Sequence, residues 1–319
     1  MNAILSKFQR FPYVLLVLAT FFWGTNFVFS RMLVEYMPPL QLSFIRWTIA
    51  SLVFLPFVYK ELRQHGPVLL KNWKVLTVMA CTGVAGFNSL IYIAIQYTTS
   101  INASLVNSLA PLLIVILSVL FLKETFSRIQ FIGIIVSLLG VLIVITQGSF
   151  ERLLTLTFNR GDLIVLVGVF CWSVYSVVMK KYSGGLPKRP TFLVTMYIGM
   201  LGLFPFFLFE RTYAPVQITE LPFEVIGGVL YLAVFPSIVS FVCWNEGIIQ
   251  VGPGKSSNFL HLIVLFTAAI AVLIGAEKVT ITQFVGGLAI LTGVILASNP
   301  EFLYKWIRRE RPVEKSVSR

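Results

Sequence analysis

The sequence is poor in the residues from which catalytic and metal sites are usually built. Its 319 residues include two histidines and three cysteines, and only 12% are charged. Cys81, Cys171 and Cys243 each lie in an apolar segment, where a free cysteine behaves as a small buried hydrophobe. They have neither metal-site spacing nor a disulfide framework, and no His-Glu-x-x-His or Gly-x-Ser-x-Gly motif occurs. The sequence therefore predicts no catalytic residue, no metal and no cofactor.

The low charge content also excludes an ordinary soluble domain, in which roughly 25% of residues are charged. Here 57% of the residues are hydrophobic, as in an integral membrane protein. The net charge of +12 is distributed over short loops between apolar segments and is not gathered on one amphipathic face. We therefore predict a lipid bilayer as the environment and no nucleic acid as a partner.

Ten apolar segments are long enough to be membrane spans, since a helix needs about 20 residues to cross a hydrocarbon core of roughly 30 Å. We predict an all-α integral membrane protein with ten transmembrane helices. The predicted spans are Tyr13–Val34, Leu40–Tyr59, Val75–Gln96, Asn102–Leu122, Ile129–Ile145, Leu163–Lys180, Phe192–Phe209, Val225–Ile249, Ser257–Ile274 and Phe284–Ala297.

The loop charges predict the orientation of these spans, because Lys and Arg concentrate in short cytoplasmic loops. With the amino terminus inside, the inner loops and the tail hold nineteen Lys and Arg residues and the outer loops hold five. Ten spans then place both termini in the cytoplasm. We expect a multi-pass protein of the cell (plasma) membrane.

The two halves of the chain repeat each other. Seven positions of the run that starts at Glu124 recur 153 residues later, including Gly133 and Gly140, which recur as Gly286 and Gly293. We expect these four glycines to pack helices together. Five helices per repeat is an odd number, so the second repeat enters the membrane from the opposite side. The predicted organisation is a first repeat (13–145), a linker (146–160), an inverted second repeat (161–298) and a basic cytoplasmic tail (299–319). Inverted repeats are typical of secondary transporters.

Several short motifs follow the repeat in order. The first half contains Phe22-Trp23-Gly24, Phe44-Ile45-Arg46, Ala110-Pro111, Lys123-Glu124 and Gln130-Phe131-Ile132-Gly133, and the second half contains Cys171-Trp172-Ser173, Trp244-Asn245, Ala276-Glu277 and Gly293-Val294. With these motifs the chain resembles the drug/metabolite transporter superfamily, specifically an EamA-type transporter with two EamA repeats. The resemblance covers about Val14 to Ala297 and implies transport of small metabolites. It departs at Val264, where the family commonly has proline.

Charged groups within the predicted spans are few, and each costs about 2.5–3.5 kcal/mol in lipid, so each is a candidate for a functional site. Arg46 lies in the second span, Glu246 in the eighth and His261 in the ninth. Arg46 suits a substrate carboxylate, because its guanidinium forms two parallel hydrogen bonds, or it serves a purely structural role. Glu246 and His261 are candidates for proton coupling, and Glu246 also for an ammonium group; alternatively Glu246 is solvated and His261 is a helix contact.

Polar and aromatic side chains in the spans complete the predicted substrate site. Asn88 and Tyr92 are four residues apart and share one face of the third span. A cavity between the third and eighth spans, capped by Trp23 and Trp172, would have aromatic walls and a few amide groups. The predicted substrate-binding residues are Trp23, Asn26, Arg46, Asn88, Tyr92, Asn107, Trp172, Tyr175, Ser240, Trp244 and Asn245. Alternatively, these Asn and Ser side chains only join helices.

Three functions remain open from the sequence. The first is a secondary transporter that exports amino acids or related small metabolites by alternating access, with or without protons. The second is an extruder of drugs or quaternary cations, for which Glu246 is the discriminating residue. The third is a membrane scaffold or sensor that transports nothing. The predicted partners are a small-molecule substrate, the bilayer and, in the coupled case, protons. A monomer is sufficient for transport, and dimerisation stays open.

Overall fold

The computed structural model describes residues 11–94, 96–98, 103, 106–154, 159–217, 221–273 and 281–298. Within this part of the chain all regular structure is helical, which confirms the predicted class. The predicted tail (299–319) and the repeated Glu277 lie outside the described residues.

Helices correspond to all ten predicted spans, and one further short helix lies in the linker. In the first half they are α1 (Pro12–Leu33), α2 (Pro39–Lys71), α3 (Trp73–Ala94), α4 (Ala110–Leu122) and α5 (Arg128–Thr146), followed by α6 (Phe150–Leu154) in the linker. In the second half they are α7 (Arg160–Tyr182), α8 (Lys188–Tyr213), α9 (Phe223–Val251), α10 (residues 253–273) and α11 (Ile281–Ser298). Among the described residues, seven of them are long and apolar enough to cross a membrane, namely α1, α2, α3, α5, α7, α8 and α9.

One helix, α2, is much longer than the apolar segment that predicts it. The predicted span Leu40–Tyr59 becomes a helix that runs to Lys71 and passes through Pro56 and Pro67. Hydropathy locates the lipid-facing part of a helix, but a helix also continues in water where side chains hold it in place. Here Leu69 packs on Leu76 and Leu186 in a small separate cluster.

Local sequence signals fix several helix ends. Ser127 and Gln130 form a capping box at the start of α5, and Asn159 and Asp162 form another at the start of α7. Each box pairs backbone N–H groups that have no partner within the helix. At the end of α4, Lys123 adopts a left-handed backbone conformation with φ of 56°, which stops the helix. The residues next to these helix ends therefore determine where each of these helices begins or stops.

The two repeats share an interruption of their third helices. Residues Ala80–Gly86 of α3 and Ala233–Val239 of α9 are π-helical, and they lie at the same offset of 153 as the repeat. In α9, Pro236 has no N–H to donate to the carbonyl of Leu232, and the Ser237 hydroxyl donates to that carbonyl instead at 2.8 Å. Such π-helical turns often occur at functional sites.

The repeated glycines pack α5 against α11. A Cβ at Gly293 would lie 2.4 Å from the backbone nitrogen of Ser137, and one at Gly140 would lie 2.7 Å from the carbonyl oxygen of Gly286. Gly133 approaches Gly293 in the same way, so residue numbers rise along α5 as they fall along α11. The fifth helices of the two repeats are therefore antiparallel and in backbone contact, and glycine is the residue that permits this distance.

The second helices of the two repeats are antiparallel as well. The start of α2 contacts the end of α8, where the Gln41 backbone N–H donates to Glu210 at 2.8 Å. The other end of α2 contacts the start of α8, where Arg189 lies 3.4 Å from Glu61. We call the end of the bundle at which α1 begins, which includes Arg189 and Glu61, the Pro12 end. The opposite end, which includes Gln41 and Glu210, is the Leu33 end.

We predict that Gly293→Ala destabilises the protein because the added methyl group would meet backbone atoms that have no room to move. Overpacking of this kind costs about 1–3 kcal/mol. The midpoint of thermal unfolding in detergent measures the effect. Gly202→Ala in α8 is the matched control, since nothing lies within 4 Å of its Cβ position. Equal midpoints for the two variants would contradict the close crossing of α5 and α11.

Candidate functional site

An aromatic layer lies in the middle of the bundle, where α1, α7 and α9 meet. It consists of Trp23, Trp172, Phe241 and Trp244. The ring centroids of Trp23 and Trp172 are 5.0 Å apart in an edge-to-face arrangement, and those of Trp23 and Trp244 are 5.3 Å apart. Each of the four side chains is at most 9% exposed. The layer therefore closes the centre of the bundle with dense aromatic packing.

A large cavity lies between this layer and the Pro12 end. Its volume is about 340 Å³, and it opens to the surface beside Lys188 and Glu61, whose side chains are 46% and 41% exposed. The lining residues are Leu15, Glu61, Met179, Pro187, Lys188, Arg189, Phe192, Val242, Cys243, Asn245, Glu246 and Ile249. The volume is that of a small-molecule pocket.

Each charged group on the wall of the large cavity has a partner of opposite sign. Lys188 donates to both carboxylate oxygens of Glu246 at 2.9 Å, and Gln250 donates to the same carboxylate at 2.7 Å. Arg189 and Glu61 form the second ion pair, at 3.4 Å. The structure thus places Glu246 at the cavity, as a paired carboxylate near water. Glu246 remains a candidate for proton coupling, and its carboxylate lies at the cavity wall and is not isolated in lipid.

A small cavity lies on the other side of the aromatic layer, towards the Leu33 end. Its volume of about 30 Å³ is close to that of one water molecule. Its walls bring together six predicted site residues, namely Trp23, Asn26, Asn88, Tyr92, Asn107 and Trp172. Phe27, Phe87, Ile91, Phe241, Leu260 and Ile263 complete the walls. The chemistry matches the predicted cavity, although in this conformation the space is nearly closed.

Arg46 lies behind the small cavity and is 1% exposed. Its Nη1 donates to Asn26 Oδ1 at 3.1 Å and to the Tyr92 hydroxyl at 2.9 Å. The guanidinium carbon lies 5.0 Å from the centroid of the Trp47 ring. The Nε and Nη2 groups have no hydrogen-bond partner among the described residues, and no carboxylate of those residues lies within 4.0 Å. Two adjacent donors of a buried cation are therefore available to an anion.

A tyrosine–asparagine hydrogen bond lies on each side of the layer. On the small-cavity side, Tyr92 donates to Asn26 Oδ1 at 3.3 Å. On the large-cavity side, Tyr175, which is fully buried, donates to Asn245 Oδ1 at 2.9 Å. Its ring stacks on Trp172 with centroids 5.3 Å apart. Asn245 also lines the large cavity. The aromatic layer thus carries one Tyr–Asn hydrogen bond towards each cavity.

His261 and Ser240 lie away from both cavities. His261 Nε2 donates to the Ser108 carbonyl at 3.0 Å, and its Nδ1 lies 2.6 Å from the Ser137 hydroxyl. Ser137 in turn donates to Asn258 at 2.8 Å. These contacts join α5 and α10 to the turn just before α4, which agrees with the helix-contact alternative. Ser240 is fully buried, and its hydroxyl has no partner among the described residues.

Several site residues were missed by the sequence analysis. Lys188, Arg189 and Glu61 line the large cavity, but in the sequence they are ordinary loop charges that indicate orientation. Phe241 completes the aromatic layer, although one phenylalanine among 28 carries no signal. Pro236 was a usable signal, because a proline inside a span frees a carbonyl. The freed carbonyl is that of Leu232, and the neighbouring carbonyl of Pro236 itself accepts a hydrogen bond from Trp23 Nε1 at 3.1 Å.

We predict a small contribution to stability from the ion pair of Lys188 and Glu246, because Lys188 is nearly half exposed to water that screens the charge. Pairs of this kind contribute about 0.2–1 kcal/mol. A double-mutant cycle with Lys188→Met and Glu246→Gln, read by thermal unfolding in detergent, measures the coupling. A coupling of several kcal/mol would mean that the pair is buried and that the cavity does not open here.

Comparisons with known proteins agree with this architecture. The profile of the EamA-like transporter family matches residues 10–146 and 159–299. The chain is 32% identical over 300 residues to the uncharacterized transporter YyaM of Bacillus subtilis, covering 94% of this chain and 97% of that protein. It is 26% identical to an uncharacterized transporter of Archaeoglobus fulgidus, covering 90% and 96% of the two chains. One solved crystal structure, 19% identical, superposes with a TM-score of 0.75 over 94% of this chain and 99% of that one, which shows the fold.

Proposed function

The chain belongs to the EamA-like transporter family and is a multi-pass membrane transporter, and on this premise we propose that it exports small metabolites by alternating access. In this mechanism two homologous halves rock against each other around a shared site. The antiparallel contacts of α2 with α8 and of α5 with α11 are those expected between two halves of opposite orientation, which supports this mechanism.

The proposal includes ten transmembrane helices, with the Pro12 end in the cytoplasm. The helices that correspond to the ten predicted spans include the shorter α4, α10 and α11. Lys60, Lys71, Lys180, Lys188 and Arg189 lie towards the Pro12 end, where the positive-inside rule favours cytoplasm. Both termini would then be cytoplasmic, and the plasma membrane is the proposed location.

The observation that carries the proposal is the pair of cavities on either side of the closed aromatic layer. With the Pro12 end inside, the large cavity is open to the cytoplasm, and the small cavity faces the outside. A solute that enters the large cavity approaches the layer from the cytoplasm and leaves through the other side once the halves have rocked. Cytoplasmic loading of this kind favours export.

The proposed substrate is an amino acid or a related metabolite with a carboxylate. A buried guanidinium without a counter-charge is strongly unfavourable, so a bound anion would stabilise Arg46. Its free Nε and Nη2 groups are adjacent, and they match the two oxygens of a carboxylate. Aromatic walls from Trp23, Trp172 and Trp244 suit the apolar part of such a molecule. We propose the predicted polar residues around both cavities as its other contacts.

The remaining alternatives have less support. A quaternary-cation extruder that binds its substrate through Glu246 needs that carboxylate to be free, and both acidic residues on the wall of the large cavity are paired with cations. A scaffold or sensor needs no cavities. If transport is coupled to protons, Glu246 is the residue we propose for it, because it faces the large cavity. His261 holds helices together.

We predict that cells overproducing the protein accumulate one class of carboxylate-bearing metabolite in the medium, and that the Tyr92→Ala, Trp244→Ala double variant does not. Tyr92 lines the small cavity and Trp244 belongs to the layer between the two cavities, so their loss removes binding contacts. Comparison of small metabolites in the two media, at equal membrane abundance, measures the effect.

The matched control for this comparison is the Tyr97→Ala, Trp73→Ala double variant. It removes the same two residue types at positions that are 59% and 57% exposed and outside both cavities. It should export like the parent protein. Indistinguishable media from parent and site variant would remove the support for export.

We predict that Arg46 carries the preference for a carboxylate. The exported compound should raise the thermal midpoint of the purified protein, and its amide analogue should not, since the amide lacks the negative charge. Arg46→Lys keeps the charge but loses the planar pair of donors, so the difference between acid and amide should shrink. An undiminished difference in this variant would place the carboxylate elsewhere.

A further inference from the structure

The two tyrosine–asparagine hydrogen bonds occupy equivalent positions in the two repeats. The offset of 149 that relates Trp23 to Trp172 also relates Asn26 to Tyr175. The offset of 153 that relates the π-helical segments of α3 and α9 also relates Tyr92 to Asn245. Each hydrogen bond therefore joins the first and third helices of one repeat. We call Tyr92 with Asn26 the first Tyr–Asn pair, and Tyr175 with Asn245 the second.

The residue types of the two pairs are exchanged. In the first repeat the asparagine is on the first helix and the tyrosine on the third, and in the second repeat the order is reversed. Both pairs nevertheless keep a phenol that donates to an amide oxygen, at 3.3 Å and 2.9 Å. The contact is thus retained in both halves although neither residue is. A simple packing position would not need a complementary exchange.

Each pair lies between the aromatic layer and a different end of the bundle. Asn26 and Tyr92 are in the walls of the small cavity, towards the Leu33 end. Asn245 is in the wall of the large cavity, towards the Pro12 end, and Tyr175 stacks on Trp172 of the layer. Each pair therefore ties the first and third helices of its repeat together beside one cavity and next to the layer.

We propose that the two Tyr–Asn pairs are the two gates of the transport cycle, and that each opens when its own end of the bundle opens. The proposal rests on the alternating-access function described above. When one gate opens, the hydrogen bond between its phenol and its amide breaks, and both groups can then bond to the substrate at the layer. When that gate closes, the two groups pair again and do not remain buried without partners. In this structure both gates are closed.

The expected size of the effect follows from the hydrogen bond itself. A side-chain hydrogen bond within a membrane protein contributes on average a factor of about 3 to an equilibrium. Tyr92→Phe and Tyr175→Phe each remove one hydroxyl and keep the ring. Tyr175→Phe should therefore favour the open state of its side by about 3-fold. Tyr92→Phe should favour the open state of the other side by at least as much, because it also removes the acceptor of a hydrogen bond from Arg46. In each variant the opposite side should be unchanged or less open.

Cysteine labelling tests the two sides separately. Cys243 lines the large cavity and serves as its reporter once Cys81 and Cys171 are replaced by serine. For the small cavity, Ile263→Cys in a protein without other cysteines supplies the reporter. The probe is a membrane-impermeant maleimide applied to right-side-out and inside-out vesicles. Tyr175→Phe should accelerate labelling of Cys243 alone, and Tyr92→Phe should accelerate labelling of the introduced cysteine alone.

Tyr231→Phe is the matched control. Its hydroxyl also joins a first helix to a third, through Thr25 at 2.8 Å, but neither residue lines either cavity. Asn245→Ala and Asn26→Ala remove the acceptors and should reproduce the pattern of the tyrosine variants, so the test does not depend on one variant folding.

Three results would overturn the gates: acceleration at both reporters by either tyrosine variant, no acceleration by any variant of the pairs, or the same acceleration by Tyr231→Phe. The labelling needs no transported compound. Side-specific acceleration without any exported metabolite would support the gates and refute export. Export without side-specific acceleration would support export and refute the gates.

Discussion

The hydrocarbon core supplies no water to a polar group, so each backbone and side-chain polar atom there needs a partner within the protein. This constraint explains much of the structure. Helices are the only regular elements among the described residues, and hydroxyl groups within them bond back to carbonyls one turn earlier, as Ser51 and Ser173 do at 2.7 and 2.8 Å. Where Pro236 interrupts the pattern, the Ser237 hydroxyl donates to the carbonyl of Leu232, and Trp23 donates to the carbonyl of Pro236. The main exception is Arg46, with two donors free, and it lies beside the cavity where a ligand would bind.

The same constraint limits how the two halves meet. Backbone contact between α5 and α11 is possible only where side chains are absent, and the four repeated glycines provide it. This crossing is rigid, because added atoms have no room there. Motion between the halves must therefore occur at other contacts. The ion pair of Arg189 with Glu61 at the Pro12 end and the contact of Gln41 with Glu210 at the Leu33 end are polar contacts between the halves that water can replace when either end opens.

Much of the architecture was predictable from the sequence, because the lengths of the apolar segments and the fixed offset of the repeat can be read from the sequence alone. The ten segments, the glycine packing and the position of Trp23 opposite Trp172 follow from such signals. The partners of polar residues were not predictable, since hydropathy carries no distances. Glu246 illustrates this, because its apolar surroundings in the sequence indicate a lone carboxylate. In the fold, Lys188 approaches it from a different helix, 58 residues away. For His261 likewise, the sequence carries no sign of its partners, which in the fold are Ser108 and Ser137 at the two ring nitrogens.

The exchange of residue types between the Tyr–Asn pairs also makes the two sides unequal. In a perfectly symmetric repeat, the two open states would have equal free energies. Here the first pair also receives two hydrogen bonds from Arg46, and charge-assisted bonds are roughly twice as strong as neutral ones. The second pair has only the phenol and the amide. With the pairs as gates, the Leu33 end would therefore be held closed more firmly than the Pro12 end without an anion at Arg46, and the cavities of about 30 and 340 Å³ on the two sides agree with this. An anion that competes for the guanidinium would weaken the stronger closure, so substrate binding itself would favour opening towards the Leu33 end.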